Sequence, residues 1–216
     1  MSDVQRTYLP AAGHDWTLPF YDPVVKLLGG DSARRVLVDQ ADLQSTHRVL
    51  EVGCVTGTLL MLIKREHPRV EVTGLDPDPR ALARAKKKAG AASVPIQLDR
   101  GFSDALPYPD ASFDRVFSCF MFHHLNDADE KLRTLREIRR VLKTGGRLQL
   151  LDFTQPESRK QSVIARRLHS SHRLTDNTEQ RVLSFMADAG LANPTILRRA
   201  KLLFALHIAY YQASAP

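Results

Sequence analysis

Between about residue 46 and residue 153, short runs of Val, Leu and Ile alternate with longer segments in which apolar residues recur every three or four positions. The runs His47–Val52, Val70–Leu75, Val94–Leu98, Asp114–Ser118 and Arg147–Asp152 read as strands. Strands separated by helix-length segments imply a parallel sheet covered by helices, an α/β arrangement. Helices are expected over Gly57–Glu66, Pro79–Ala89 and Asp129–Lys143. Pro79 suits a first helical turn, where its missing N–H is harmless. Leu132, Leu135, Ile138, Val141 and Leu142 form an apolar stripe on the third helix, which Thr144, Gly145 and Gly146 would end. Farther on, Thr178–Ala189 has helical periodicity closed by Gly190. Thr195–Phe204 and Leu206–Gln212 then read as two tightly joined, hence antiparallel, strands.

The 216 residues suit one domain. Residues 1–45, with Tyr8, His14, Trp16, Phe20 and Tyr21, are expected to form a helical cap. Residues 46–153 form the core, 154–177 a further cap segment, and 178–216 the C-terminal helix and antiparallel strands. A hydrophobic content of 43% with 25% charged residues is ordinary for a globular chain and excludes disorder or coiled coil as the main state. The longest apolar runs, Val116–Phe122 and Leu202–Ala209, fall far short of the ~20 residues that span a bilayer. The start of the chain lacks the pattern of a secretory signal, and Cys54 and Cys119 provide no disulfide framework, so a cytoplasmic setting is expected.

Charge adds a question. The net +7 is concentrated between Lys131 and Lys201, where 16 Lys and Arg face 6 Asp and Glu. Such a surplus fits a nucleic acid, an anionic surface, an acidic small molecule or a merely solvated face. The segment Ser158–Arg173 alone carries five basic residues and no acid.

The chemistry-bearing residues lie at strand ends. In Val49-Leu-Glu-Val-Gly-Cys-Val-Thr-Gly-Thr-Leu59 a strand enters a glycine-rich turn that opens a helix. This lets the main chain approach a nucleotide-like or carboxylate-bearing ligand at a positively polarised helix end. The spacing departs from the dinucleotide fingerprint, which disfavours a nicotinamide dehydrogenase. About 20 residues later, Asp76 ends the next strand, placed either to accept two ribose hydroxyls or to cap the following helix. His123 and His124 follow the fourth strand, and His suits proton removal near neutral pH. No cluster has zinc-ligand spacing, and no Ser-His-Asp arrangement stands out.

Read in order with Gly101–Asp114, the stretch Arg115–Asn126, Leu142–Leu148 and Leu151–Phe153, the chain resembles the class I S-adenosylmethionine-dependent methyltransferases. The likeness is to the branch holding the ubiquinone/menaquinone C-methyltransferases and natural-product enzymes, and it covers about Arg48 to Phe153. It implies a Rossmann-like, doubly wound seven-stranded sheet, mostly parallel with an antiparallel C-terminal strand, plus a small helical cap. It also implies S-adenosylmethionine as cofactor. Glu51, Gly53, Cys54 and Gly57 would hold the methionine end, and Asp76 the ribose, with Pro77 beside the adenine. Gly101, Phe102 and Ser103 would border the ring, Ser118 and Cys119 would lie along the cofactor, and Tyr21 would close over it. His123, paired with Asp152, would serve as base.

Three positions depart from that pattern. Val55 stands where relatives usually have Gly, Phe102 where many have an adenine-binding Asp, and Thr144 where Pro is customary. The acceptor expected is a small aromatic or apolar molecule, anionic or lipid-like if the basic cap segment guides it. The apolar Cys119-Phe-Met-Phe122 disfavours a nucleic-acid methyltransferase, which would need a polar sequence there to hold a base amine. Val55 keeps open a protein that binds but does not use the cofactor. The residues leave the oligomeric state undetermined.

Overall fold

The computed structural model describes residues 18–154, 177–203 and 206–216, with side chains from Asp22 onward. Tyr8, His14, Trp16, Ser158–Arg173 and Phe204 lie outside the described residues, as do the side chains of Phe20 and Tyr21.

Seven strands form one sheet: β1 (Arg48–Val52), β2 (Glu71–Asp76), β3 (Gln97–Arg100), β4 (Phe113–Cys119), β5 (Leu142–Phe153), β6 (Ala192–Lys201) and β7 (His207–Ser214). Their order is β3-β2-β1-β4-β5-β7-β6. The first five are mutually parallel, while β7 runs antiparallel to both β5 and β6. The order reverses direction between β1 and β4. In a doubly wound sheet the ligand crevice opens outside the carboxyl ends of the strands at such a switch point.

Helices cover both faces. On one, α2 (Gly30–Asp39) and α3 (Thr58–Glu66) bury Leu37, Val38, Leu59, Leu60 and Ile63 against Val49, Phe117 and Leu151. On the other, α5 (Ala128–Val141) and α6 (Glu179–Asp188) bury Leu135, Ile138, Val182 and Phe185 against Leu50, Val116 and Leu150. In α4 (Pro79–Ala91) the buried face consists of Ala81, Ala85 and Ala89, small residues that bring the helix close to the sheet. A short helix, α1 (Leu18–Leu27), precedes α2.

Several expectations shift. The third strand begins at Gln97 rather than Val94, because Val94 N–H still bonds Ala89 O at the end of α4. The strands expected at Thr195 and Leu206 begin at Ala192 and His207. Helix α5 ends at Val141, and Thr144, Gly145 and Gly146 lie within the span of β5 rather than ending the helix. Gly145 N–H donates to Ala215 O, and Ala215 N–H returns a bond to Gly146 O, so the chain's end draws this turn into the sheet. The buried face of α5 also includes Lys131 and Thr134, while Leu132 is only half-buried. Lys131 Nζ lies 3.4 Å from Asn177 Oδ1 and 5.6 Å from the centre of the Phe122 ring.

Candidate cofactor site and catalytic pair

The loop after β1 is shaped by main-chain constraints. Gly53 sits at φ +73°, and a side chain there would meet Met121 Cγ at 2.2 Å, so the position excludes any other residue twice over. Gly57, at φ +69°, precedes α3 without a side-chain cap, leaving that helix's polarised first turn open. Between them Val55 adopts φ +47°, a left-handed conformation that strains a β-branched residue by about 1–2 kcal/mol. What holds it there is β2. Leu75 O accepts from Gly53 N–H at 2.8 Å and Cys54 N–H at 3.0 Å, and Asp76 Oδ2 accepts from Val55 N–H at 2.8 Å.

Asp76 is therefore not the cap of α4. Asp78 is, accepting from Arg80 N–H, while Asp76 Oδ1 takes the Asp78 N–H at 2.9 Å. Burial pushes the Asp76 carboxyl up to about 6, against the pull of these two donors. Each oxygen keeps a further lone-pair site for a ligand hydroxyl.

A second anchor comes from α1. Asp22 accepts from the hydroxyls of Thr56 (2.6 Å) and Thr58 (2.9 Å) and pairs with Lys88 of α4 at 2.8 Å. Burial alone would raise this carboxyl, but those bonds hold it below its ordinary range.

Two hollows meet at the loop. The larger, a solvent-open cleft of about 750 Å³, is lined by Asp76, Pro77, Asp78, Phe102 and Ser103 on one side and by Phe120, Met121, His124 and Leu125 on the other. Leu75, Ala81, Asn126 and Glu130 also line it. The smaller, about 220 Å³, is lined by Arg34, Glu51, Cys54, Thr56, Thr58, Leu59 and Cys119. Gly53 and Val55 belong to both. Burial raises the Glu51 carboxyl to about 8, with Arg34 pulling the other way, and its Oε2 has no hydrogen-bond partner. Burial likewise pushes the Cys119 thiol up to about 12.

The structure thus gathers Gly53, Asp76, Pro77, Phe102 and Ser103 in one hollow and Glu51, Cys54 and Cys119 in the next. Gly57 and Gly101 line neither: the first leads into α3 and the second packs beneath Leu75. Ser118 is buried at the end of β4, its Oγ without a partner. Arg34, Leu125, Asn126 and Glu130 were not expected.

Beyond β4 lie His123 and Asp152. Asp152, at the end of β5 and wholly buried, accepts from His123 N–H at 2.9 Å and Phe153 N–H at 2.7 Å, and its Oδ1 lies 2.6 Å from His123 Nδ1. A proton on Nδ1 satisfies the carboxylate and leaves Nε2 as the basic nitrogen. The ring packs edge-on against Phe153 and 4.2 Å from the ring of His124. His124 lines the cleft, whereas His123 is not among its lining residues. Among the described residues no group of three or more His, Cys, Asp or Glu could hold a metal, and no helix is long and apolar enough to cross a membrane.

Residues 49–146 match the family described as a methyltransferase domain. A demethylmenaquinone methyltransferase of Deinococcus radiodurans is 41% identical over 143 residues, covering 65% of this chain and 58% of that protein. A 27-O-demethylrifamycin SV methyltransferase of Amycolatopsis mediterranei is 35% identical over 119 residues, 54% of this chain and 42% of that protein. The chain spans about half the length of these two relatives. A SAM-dependent methyltransferase from Aquifex aeolicus shares the fold, with a TM-score of 0.65 and 20% identity over 87% of this chain and 91% of that one. The residues present suit S-adenosylmethionine: a cleft with a buried carboxylate and flanking Pro and Phe for an adenosyl group, and a partnerless acidic oxygen for an ammonium. Over residues 49–146 the sequence is that of a methyltransferase domain, and the strand order of the described residues is that of the S-adenosylmethionine-dependent methyltransferase fold.

Proposed function

We propose that this protein methylates a small quinol-like or phenolic molecule, with His123, held by Asp152, taking the proton that the acceptor releases. Bound S-adenosylmethionine supplies an electrophilic methyl group to such a reaction. Asp76 and Pro77 would hold the adenosyl part in the larger cleft, and Glu51, with the main chain of Gly53 and Cys54, the methionine part in the smaller hollow. Alignment supplies most of the rate in a one-step displacement, so the rigid loop contributes by fixing position. The acceptor would lie against Phe120, Met121 and Leu125, an apolar lining suited to an aromatic ring.

The observation that carries this reading is the His123–Asp152 pair beside the cleft. The carboxylate fixes the ring and stabilises the imidazolium that forms when Nε2 takes a proton. Support for a quinol comes from the Deinococcus relative's name. A cytoplasmic setting forms part of the proposal, in keeping with the two buried free thiols, Cys54 and Cys119.

The test is to incubate the protein with methyl-labelled S-adenosylmethionine and a panel of reduced naphthoquinones and phenols. Transfer of label to an organic-extractable product is expected, and no transfer to any member would remove the quinol assignment. A second reading, a cofactor-binding protein without transfer activity, is favoured by the strain at Val55 alone. It predicts S-adenosylhomocysteine binding with no labelled product.

A further inference from the structure

Helix α1 has two faces. Asp22 points inward, bonded to Thr56, Thr58 and Lys88, and Val25 lies over Gly30, where an added Cβ would meet Val25 Cγ1 at 2.3 Å. Val24 and Leu27, three residues apart and so on one side of the helix, point outward, 50% and 73% exposed. A third apolar side chain joins them from the edge of the sheet: just after β6, Leu203 N–H donates to Leu28 O at 3.2 Å, and Leu203 is 53% exposed. One exposed leucine is ordinary on a protein surface. Here three large apolar side chains from two separate elements form a patch, and such patches mark contact surfaces.

The charge around the patch is cationic. Lys26, beside Leu27, and Lys201, two residues before Leu203, are both exposed. The acids at this end are already engaged, Asp22 with Lys88, Asp31 with Arg34 and Glu179 with Arg199. Apolar side chains flanked by lysines suit the boundary of an anionic bilayer, where leucines reach the acyl layer and ammonium groups meet the headgroups. The place of the patch in the fold fits that use. Strand β6 runs parallel to β5, because both are antiparallel to β7, so its last residues lie at the same end of the sheet as the cleft. Ala200 of β6 and Phe153 of β5 flank Ile208 of β7, which puts Lys201 about 10 Å, two strand spacings, from the end of β5.

We infer that the outer face of α1 and the end of β6 form a docking surface for an anionic lipid bilayer, seating the chain with the cleft end of its sheet toward the membrane. This goes beyond the proposed function and does not depend on it, since the lipid surface is bound without cofactor or acceptor. An acceptor carried in the bilayer would reach the cleft from that side.

Flotation of the full chain at low salt tests it, with vesicles of phosphatidylcholine alone and of phosphatidylcholine mixed with phosphatidylglycerol. The wild type is expected to bind the mixed vesicles and to bind pure phosphatidylcholine at least about tenfold more weakly. Leu27→Ser combined with Leu203→Ser lowers binding to the mixed vesicles about 30-fold, because two leucines no longer leave water. Lys26→Glu combined with Lys201→Glu lowers it at least about tenfold. Leu197→Ser, an exposed leucine in the middle of β6 and outside the patch, binds within about twofold of the wild type. All three variants keep the wild-type melting temperature, which tells a lost surface from a lost fold. Equal flotation of the wild type and both double variants would place the lipid contact elsewhere in the chain, and no flotation of the wild type with mixed vesicles would exclude the docking surface. A wild type that sediments as a dimer without floating, and becomes monomeric with Leu27→Ser and Leu203→Ser, would assign the patch to a second copy. Each of these results overturns the proposal, and none bears on methyl transfer.

Discussion

The two halves of the sheet solve the same problem with the same dipeptide. At the end of β2, Leu75 O accepts from the loop after β1, and the Asp76 carboxylate accepts from Val55 N–H in that loop. At the end of β5, Leu151 O accepts from Phe120 N–H in the loop after β4, and the Asp152 carboxylate accepts from His123 N–H in that loop. Each loop contains a non-glycine residue in the left-handed region, Val55 at φ +47° and Phe120 at φ +54°. In both places a buried carboxylate from the neighbouring strand holds main chain that its own sequence would not favour.

The difference lies in what each carboxylate does with its remaining capacity. Asp76 bonds only main chain, Val55 N–H and Asp78 N–H, so its loop presents backbone and a carboxylate to the cleft. Asp152 also bonds the His123 ring, so its loop presents a basic nitrogen. On the proposed reading the first half binds and the second moves a proton.

Separating the two brings the largest expected effect. Asp152→Asn keeps the shape but no longer favours a proton on Nδ1, so turnover should fall about 10³-fold. S-adenosylhomocysteine affinity should stay within about twofold, and a matching loss of affinity would show that the halves are not separate. Next, Asp76→Ala removes the acceptor that holds Val55 and, with it, the proposed ribose partner. S-adenosylhomocysteine should weaken about 30-fold, with a loss of about 2 kcal/mol in stability measured by denaturant titration, the range for a buried hydrogen-bonded group.

A smaller effect separates Glu51 from both aspartates. Its carboxyl is raised from 4.5 to about 8 by burial, so the native state holds the proton more tightly than the unfolded chain. The stability this contributes is full below about pH 4.5 and is lost as pH rises through about 8. Between pH 5 and pH 8 the melting temperature of the ligand-free protein should fall by several degrees more than that of Glu51→Gln. Equal slopes by differential scanning fluorimetry would contradict a buried, partnerless Glu51. The smallest effect is Val55→Gly. Relief of the left-handed strain is nearly offset by glycine's extra unfolded-state entropy, leaving stability within about 1 kcal/mol. Cofactor-product affinity should rise about threefold, since less of the Asp76 bond is needed to hold the loop. A fall in affinity would mean that the isopropyl group itself forms part of the site.

The first half was legible in the sequence because its parts are local: a glycine-rich turn, a helix start, and a strand-end acid about 20 residues on. His123 and Asp152 are also 29 residues apart, yet nothing in either residue's neighbourhood joins them, and only the family resemblance paired them. Arg34 and Lys131 were hidden for a different reason. Periodicity counts both as polar and assigns them to solvent, whereas each lies on a buried helix face. The turn at Gly145 and Gly146 reads locally as a helix stop, and only pairing with Ala215, 70 residues away, makes it part of β5.

The central claim is that the loop after β1, held by Asp76, binds the cofactor. Titrating S-adenosylhomocysteine into the wild-type protein and into Asp76→Ala in a calorimeter tests it most directly. Saturable one-to-one binding that weakens at least tenfold in the variant is the predicted result. No binding to the wild type, or equal binding to both, would contradict it.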